Sequence, residues 1–427
     1  MKKLALLSMI LLCAMTVVAG ERWTEIVSYR LDMRLDSAGR LLNVQALIRL
    51  AKDDSTKTVR LNFADIIPIH KVTCNGDTIG YRRSQDGLLF QLPAFRKGEL
   101  RFNYTLETDS FKSDRVIALV RARKWFPYLY DNVASSKINL TVPAGYYAYS
   151  SGKQSGYEFD GTNRQYHFRV KVNAGMPLFI APVDYYTSQT QQWKGRQLNY
   201  FFHTTDTTKA NAVVRESLQA FRFAYKFIGK YRPPTFTFIE FPGFDFCQSM
   251  PGFVLMGPEY IADVNKPDKR YWVGHETFHQ WVGNGYFTRL YNHSPYTRFT
   301  EESLTEYLRM VYLQKSFGDD TLKAMLRENC RIYNTYIKGT EEDLPIAANR
   351  PNWVTYTLGP VIWHVVRGEM GDKKWQKFIQ KLYSKYYGKV IDYAVFREQL
   401  VKFASEETVI KMEKCLNEKG IPAEFAE

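Results

Sequence analysis

The sequence predicts an α+β chain of more than one domain, an all-β unit followed by a mainly helical one. Three observations carry this. Apolar residues alternate with polar ones in short runs up to about Tyr186, they recur at three and four from Val214 onward, and His275-Glu276-Thr277-Phe278-His279 sits inside the second pattern. A period of two belongs to a strand with one buried face, and three-to-four belongs to a helix with one buried stripe. At 427 residues, 45% of them hydrophobic and 15% aromatic, the chain is long enough for two or three cores and too apolar to be disordered.

Residues 1–20 open with Lys2-Lys3, run apolar from Leu4 to Val18 and close on Ala19-Gly20, the layout of a secretory signal peptide. That run is shorter than the ~20 residues a membrane span needs, and Leu12 is too bulky to precede a lipid-modified Cys13. The mature chain is therefore expected to be exported, periplasmic or secreted, without a lipid anchor or a transmembrane segment.

Residues 21–190 read as the β domain, sandwich- or saddle-like. Tyr29, Leu31, Met33 and Leu35 alternate before the break at Ser37-Ala38-Gly39, and similar runs recur at residues 138–142 and 166–170. A Thr- and Gln-rich stretch near 187–192 marks the change of period, and residues 191–427 form the second domain. Val214, Leu218, Phe221, Tyr225 and Ile228 make an amphipathic helix that closes near Gly229. Pro233-Pro234 stops it, and Thr235 to Phe241 reads as a strand. From Lys269 helices dominate, punctuated by Gly283, Gly285, Gly318, Gly359 and Gly371.

The formal net charge of +14 is spread along the chain and reads as a solvated basic surface, and no nucleic-acid-binding motif is present. Cys74, Cys247, Cys330 and Cys415 show no C-x-x-C spacing, so neither a disulfide framework nor a thiolate metal site is implied. Nothing in the pattern fixes an oligomeric state.

His275 and His279 lie four apart, so a helix returns both imidazoles to one face, where they can hold one metal ion with Glu276 beside it as a base. Without thiolates, two His favour a hydrolytic zinc site, because catalytic sites keep a position open for water. A third ligand has to come from elsewhere. A second helical pattern opens at Phe299, and Glu302 is its candidate, with Glu301 as the substitute if the register slips by one and His293 in the connector as a further possibility. Glu306, one turn on, can orient a ligand His through its other ring nitrogen. The expected cofactor is one zinc ion.

These strings resemble the zinc aminopeptidases of the aminopeptidase N and leukotriene hydrolase type, the gluzincins. His279-Gln280-Trp281-Val282-Gly283-Asn284 is similar to the family's His-Gln-Trp-x-Gly-Asn, and Glu302-Ser303-Leu304-Thr305-Glu306-Tyr307 to its Glu-Gly-Phe-Ala-x-Tyr. Trp125-Phe126-Pro127, followed by strand residues to Pro143-Ala144-Gly145-Tyr146, is similar to the end of the family's N-terminal β domain, and Ala174 to Ala181 resembles the strand that leads out of it. Val354-Thr355-Tyr356-Thr357-Leu358-Gly359, running into a helix at Val361, is similar to its Tyr-Glu-Lys-Gly segment. Cys415 to Pro422 looks like the end of its catalytic unit, so the compact form without a C-terminal helical domain is implied.

The resemblance implies a thermolysin-like catalytic domain behind the β domain, peptide substrates, Glu276 as general base, and Tyr356 as stabiliser of the oxyanion. Two departures stand out. His279 and Glu302 enclose twenty-two residues, more than the family places there. Also, Cys247-Gln248-Ser249-Met250-Pro251-Gly252 matches the family's Gly-Ala-Met-Glu-Asn strand, with Ser249 where the Glu holds the substrate's amino group. Substrate contacts are expected from Gln248, Ser249, Met250, Pro251 and Gly252, and Asp245, Glu240 or Glu259 can replace the lost carboxylate. The reading is a zinc-dependent metallopeptidase, aminopeptidase-like. Its alternatives are an endopeptidase or atypical exopeptidase, and a binding homologue without catalysis.

Overall fold

The computed structural model describes residues 24–53, 57–84, 87–129, 132–173, 175–243, 245–262, 264, 271–288, 296–348 and 353–423. The signal-peptide reading of residues 1–20 and the candidate ligand His293 lie outside them.

Alternation builds the first unit. Along Thr24–Leu35 the side chains of Tyr29, Leu31, Met33 and Leu35 are buried while Arg30 and Arg34 are exposed. The strand turns back through Gly39, at φ +68°, into Leu41–Lys52. An eight-stranded sheet results, in the spatial order Lys153–Phe159, Asn163–Asn173, Ala134–Pro143, Thr24–Leu35, Leu41–Lys52, Lys97–Glu107, Ile69–Cys74, Asp77–Thr78. All its pairings are antiparallel except that of Thr24–Leu35 with Ala134–Pro143. One apolar cluster joins Leu31, Phe102 and Leu140 of this sheet to Leu61 and Phe90 of a three-stranded sheet and to Leu119 and Ile180 of a four-stranded one. The core of this unit therefore lies between sheets.

The second unit opens on a five-stranded sheet in the order Thr187–Trp193, Arg196–Phe202, Thr235–Glu240, Phe253–Met256, Cys247–Met250. The division expected at 190/191 falls inside Thr187–Trp193, which pairs along its whole length with Arg196–Phe202. Its Thr and Gln residues fit an edge strand with one solvated face. Arg196–Phe202 and Thr235–Glu240 run parallel, joined by α1 (Thr207–Phe227), whose first turn is capped by the Asp206 carboxylate accepting from the amides of Thr208 and Lys209.

Helices follow: α2 (Tyr271–Phe278), α3 (Leu304–Phe317), α4 (Asp319–Ile332), α5 (Trp353–Met370), α6 (Asp372–Tyr386), α7 (Tyr393–Val401) and α8 (Glu406–Asn417). Phe221 of α1, Phe278 of α2, Trp281, Leu308 of α3, Trp363 of α5 and Phe378 of α6 share one core. It holds α2 between α1, α3 and the edge strand Cys247–Met250. Helix α5 begins at Trp353, earlier than the expected Val361, with Pro360 inside it. Cys74, Cys247, Cys330 and Cys415 are free. Among the described residues no helix is long and apolar enough to cross a membrane.

Candidate metal centre

His275 and Glu276 lie on the last turn of α2. His279 follows its final residue but keeps the helical bond, its amide donating to the His275 carbonyl at 3.2 Å. The chain then tightens, with Trp281 N–H donating to the Phe278 carbonyl at 2.9 Å, and leaves through Gly283 at φ +83°. A Cβ on Gly283 would stand 3.3 Å from His279 Nδ1, so the backbone there lies against the imidazole.

Glu302 comes from a π-helical turn, Phe299–Ser303, that runs straight into α3. Such wide turns concentrate at functional sites. Successive residues point about 100° apart, and Glu301 accordingly faces away. Its Oε1 accepts from the amide and hydroxyl of Thr288, at 2.8 and 2.5 Å. Burial pushes its pKa up to about 7 despite those bonds. The turn is fixed against α5, where the Ser303 hydroxyl donates to the Thr355 carbonyl at 2.6 Å. Gly359 admits Ser303 closely enough that a Cβ there would fall 1.9 Å from its Oγ. This contact sets the spacing between Glu302 and Tyr356.

Three atoms converge. His275 Nε2 and His279 Nε2 are 3.1 Å apart, and Glu302 Oε2 lies 3.4 Å from the first and 3.2 Å from the second. Tetrahedral zinc bonds of ~2.0–2.1 Å put neighbouring donors about 3.3–3.4 Å apart, so this triangle has the size the ion needs. The outer nitrogens point to the same conclusion. His275 Nδ1 faces the Glu306 carboxylate at 3.2 Å and His279 Nδ1 faces the Val282 carbonyl at 3.1 Å. Both partners only accept, so each neutral imidazole carries its proton on Nδ1 and turns a bare Nε2 lone pair to the centre. Two lone pairs and a carboxylate then meet with no donor between them.

The charges agree. Burial alone would lower the pKa of His275, but Glu302 and Glu306 outweigh it and, without a metal, raise it to about 10. His279 is raised in the same sense, against burial, by Glu302. Glu302 is held well below the carboxylate range because the two imidazoles overcome its burial. The site thus attracts positive charge, whether protons or a cation. Burial raises the pKa of Glu276 although both imidazoles pull it down.

Tyr356 lies on the first turns of α5, its ring centre 5.8 Å from that of His275. Burial and the nearby carboxylates of Glu302 and Glu276 push its pKa far above the ordinary value, keeping it a phenol. A cavity of about 290 Å³ opens beside these groups, lined by Glu276, Tyr356 and Cys247, with the rings of Tyr260, Trp272 and Trp353 around it. A larger cavity, about 540 Å³, lies elsewhere, and its one charged lining residue is Lys153.

None of the five residues expected to meet substrate lines this cavity. Ser249 donates to the Glu276 carbonyl at 3.0 Å and accepts from the Gln280 amide at 2.7 Å. Gln280 also donates to the Met250 carbonyl at 3.1 Å and accepts from Gly252 N–H at 2.8 Å, so it pins the buried turn Met250-Pro251-Gly252 beneath α2. From this strand Cys247 reaches the cavity, and Gln248 does not. Of the proposed replacement carboxylates, Glu240 is buried with the Thr204 amide, and neither Asp245 nor Glu259 lines the cavity.

Arg309, Arg298 and Glu342 were not singled out in the sequence. Arg309 clamps Glu306, at 2.7 Å from Nη2 to Oε1 and 3.0 Å from Nε to Oε2. Its place three residues after Glu306 on one helix is a readable sign of pairing. Arg298 and Glu342 line the cavity, and no spacing pointed to them.

No protein-family model matches the chain, and no curated protein does. Among solved structures it is similar to an M1 zinc metallopeptidase from Deinococcus radiodurans, a mutant bound to a Tyr-Ser-Ala substrate. The TM-score is 0.73, with 15% identity over 94% of this chain and 96% of that one. A two-domain M1 zinc metallopeptidase mutant bound to L-arginine gives 0.75, with 16% identity over 93% and 95%. At these identities the likeness is one of fold.

Proposed function

We propose that this chain is a zinc-dependent peptidase of the gluzincin kind, acting outside the cytoplasm, with a thermolysin-like second domain and one zinc ion held by His275, His279 and Glu302. The observation that carries this is the meeting of three acceptor atoms with both imidazole Nδ1 groups committed elsewhere. The fold shared with M1 zinc metallopeptidases, one of them bound to a tripeptide substrate, supports it.

When bound, the zinc would supply Lewis acidity and bring the pKa of a water ligand toward ~7. The protein does the rest. Glu276, buried at the cavity wall with its proton affinity raised, takes the proton of the attacking water and returns it to the leaving amine. Tyr356, held as a phenol, donates a hydrogen bond to the oxygen that gains charge, where one donor contributes about 3–4 kcal/mol. Glu306 keeps the His275 ring in register, and Ser249 with Gln280 holds the backbone that carries Glu276.

Glu276→Gln removes the base and leaves all three ligands. The expected result is a loss of turnover of at least ~10²–10⁴-fold with zinc content unchanged by elemental analysis. Full activity in that variant removes the mechanism.

A further inference from the structure

We propose that the solvated face of the eight-stranded sheet is a binding surface for an acidic polysaccharide. The claim concerns the first unit alone and stands apart from the peptidase reading.

The register of the sheet gathers cations that are far apart in sequence. Lys153 pairs with Arg169, Arg169 with Lys137, and Lys137 with Arg30, on four adjacent strands. Across the next strand Arg30 meets Leu47, whose partner is Arg101. Residues directly opposite share a face of the sheet, and all five cations are exposed. Arg30 is answered by Asp32 at 2.9 Å and Arg101 by Glu99 at 3.0 Å, exposed pairs that are weak and screened by salt. Among the described residues no carboxylate lies within ion-pairing distance of Lys153, Arg169 or Lys137. Like charges directly opposite destabilise a sheet, so an anion laid along this row relieves a repulsion that the fold itself leaves standing. At ~4.8 Å per strand the row runs roughly 24 Å, which calls for a chain of charges.

The neighbouring row selects the kind of chain. Asn139, Asp32, Gln45 and Asn103 stand in register on the same face. Asn139 is held by Asp32 at 2.5 Å and by His167 at 2.8 Å, whereas the side-chain amides of Gln45 and Asn103 have no hydrogen-bond partner among the described residues. Both amides line a hollow of about 220 Å³ with Arg30 and Arg101 in its wall, and a second of about 460 Å³ that adds Arg34 and His70. An amide donates and accepts at once, which suits hydroxyls, and a chain of uronic acids presents hydroxyls and a carboxylate on each unit. An acidic peptide brings the carboxylates without the hydroxyls. A membrane surface favours apolar side chains that insert, but of the residues in the two rows Leu47 alone is apolar, and it is half-buried.

The test measures binding of polygalacturonate oligomers to the whole protein by calorimetry, beside their methyl esters, poly-L-glutamate and phosphatidylglycerol vesicles. Wild type should bind polygalacturonate at low salt and the uncharged ester about 10-fold or more weakly, and Lys137→Gln with Arg169→Gln should weaken the acid's binding about 5-fold or more. Lys373→Gln with Lys377→Gln, an equal loss of charge at exposed positions of α6, should change nothing. Gln45→Ala with Asn103→Ala should weaken binding of polygalacturonate and leave that of poly-L-glutamate as it was. These positions are exposed, so thermal melts of all three double variants should match wild type. No binding of polygalacturonate overturns the proposal, as does an ester bound as tightly as the acid. Equal weakening by the sheet pair and the α6 pair overturns it in favour of net charge alone. Tighter binding of poly-L-glutamate or of the vesicles overturns it in favour of an acidic peptide or a membrane.

Discussion

Arg309→Met is the most informative single change outside the ligand set. Glu306 is 0% exposed and Arg309 8%, and the two bonds at 2.7 and 3.0 Å make the guanidinium the counter-charge of that carboxylate. Removing it strands a buried anion, which costs about 3–5 kcal/mol. At roughly 2–4 °C per kcal/mol for a unit of 150–250 residues, the melting point of zinc-free protein should fall by about 6–20 °C. Adding Glu306→Leu removes the stranded charge. What remains are the unanswered Nδ1–H of His275 and hydroxyl of Tyr271, neutral groups that cost about 1–3 kcal/mol each where the stranded anion costs more, so the double variant should melt above the single one. Its zinc affinity should nevertheless drop about 10–100-fold, the usual effect of losing the partner that orients a ligand imidazole. Thermal melts and a chelator competition read the two effects separately. A double variant no more stable than Arg309→Met refutes the stranded-charge argument. Unchanged zinc affinity refutes the orienting role of Glu306.

Gly359→Ala should destabilise the protein by about 1–3 kcal/mol through overpacking, because its Cβ falls 1.9 Å from Ser303 Oγ. Ser303→Gly should relieve most of this, since the next contact is the Ser303 Cα at 3.6 Å; a denaturant melt in which the second change brings no recovery refutes the contact. Glu240 tests the charge reasoning away from the site. Burial raises its pKa above 4.5, against the Thr204 N–H bond, so its protonated form favours folding. That contribution is complete at pH values below the unfolded pKa and is lost as pH rises through the folded one. Glu240→Gln should therefore be more stable than wild type at pH 7.5, with the advantage gone near pH 4 and turnover unaffected; an equal gain at both pH values contradicts the assignment.

Much of this was legible because period and spacing are local. Tyr29, Leu31, Met33 and Leu35 face one way for the reason that any alternating strand does, and His275 and His279 share a face because a helix turns 100° per residue. Glu302 was readable only as one of two neighbouring carboxylates. What decided between it and Glu301 was Thr288, fourteen positions before Glu302 and tied to Glu301 by two bonds. The edge strand at 187–193 was read only as a change of period, because its Thr and Gln residues carry no apolar alternation. Ser249 lies in the expected strand, and its hydroxyl has backbone and amide partners there. A hydroxyl bonded to the Glu276 carbonyl and the Gln280 amide serves the backbone, and no sequence pattern distinguishes that from a hydroxyl facing substrate.

The arrangement of carboxylates also separates a metal site from a buried ionic cluster. Arg309 answers Glu306, but Glu302 and Glu276 have no arginine or lysine within ion-pairing distance among the described residues; the groups beside them are the two imidazoles. Were the pair of His simply protonated for structural reasons, each Nε2–H would need its own acceptor, and a 3.1 Å contact between two like-charged nitrogens would be repulsive. With both protons on Nδ1, where Glu306 and Val282 accept them, the same 3.1 Å becomes one edge of a coordination polyhedron. With the outer nitrogens given to acceptors, the 3.1 Å approach of the two inner nitrogens favours a divalent cation over protons as the resident charge.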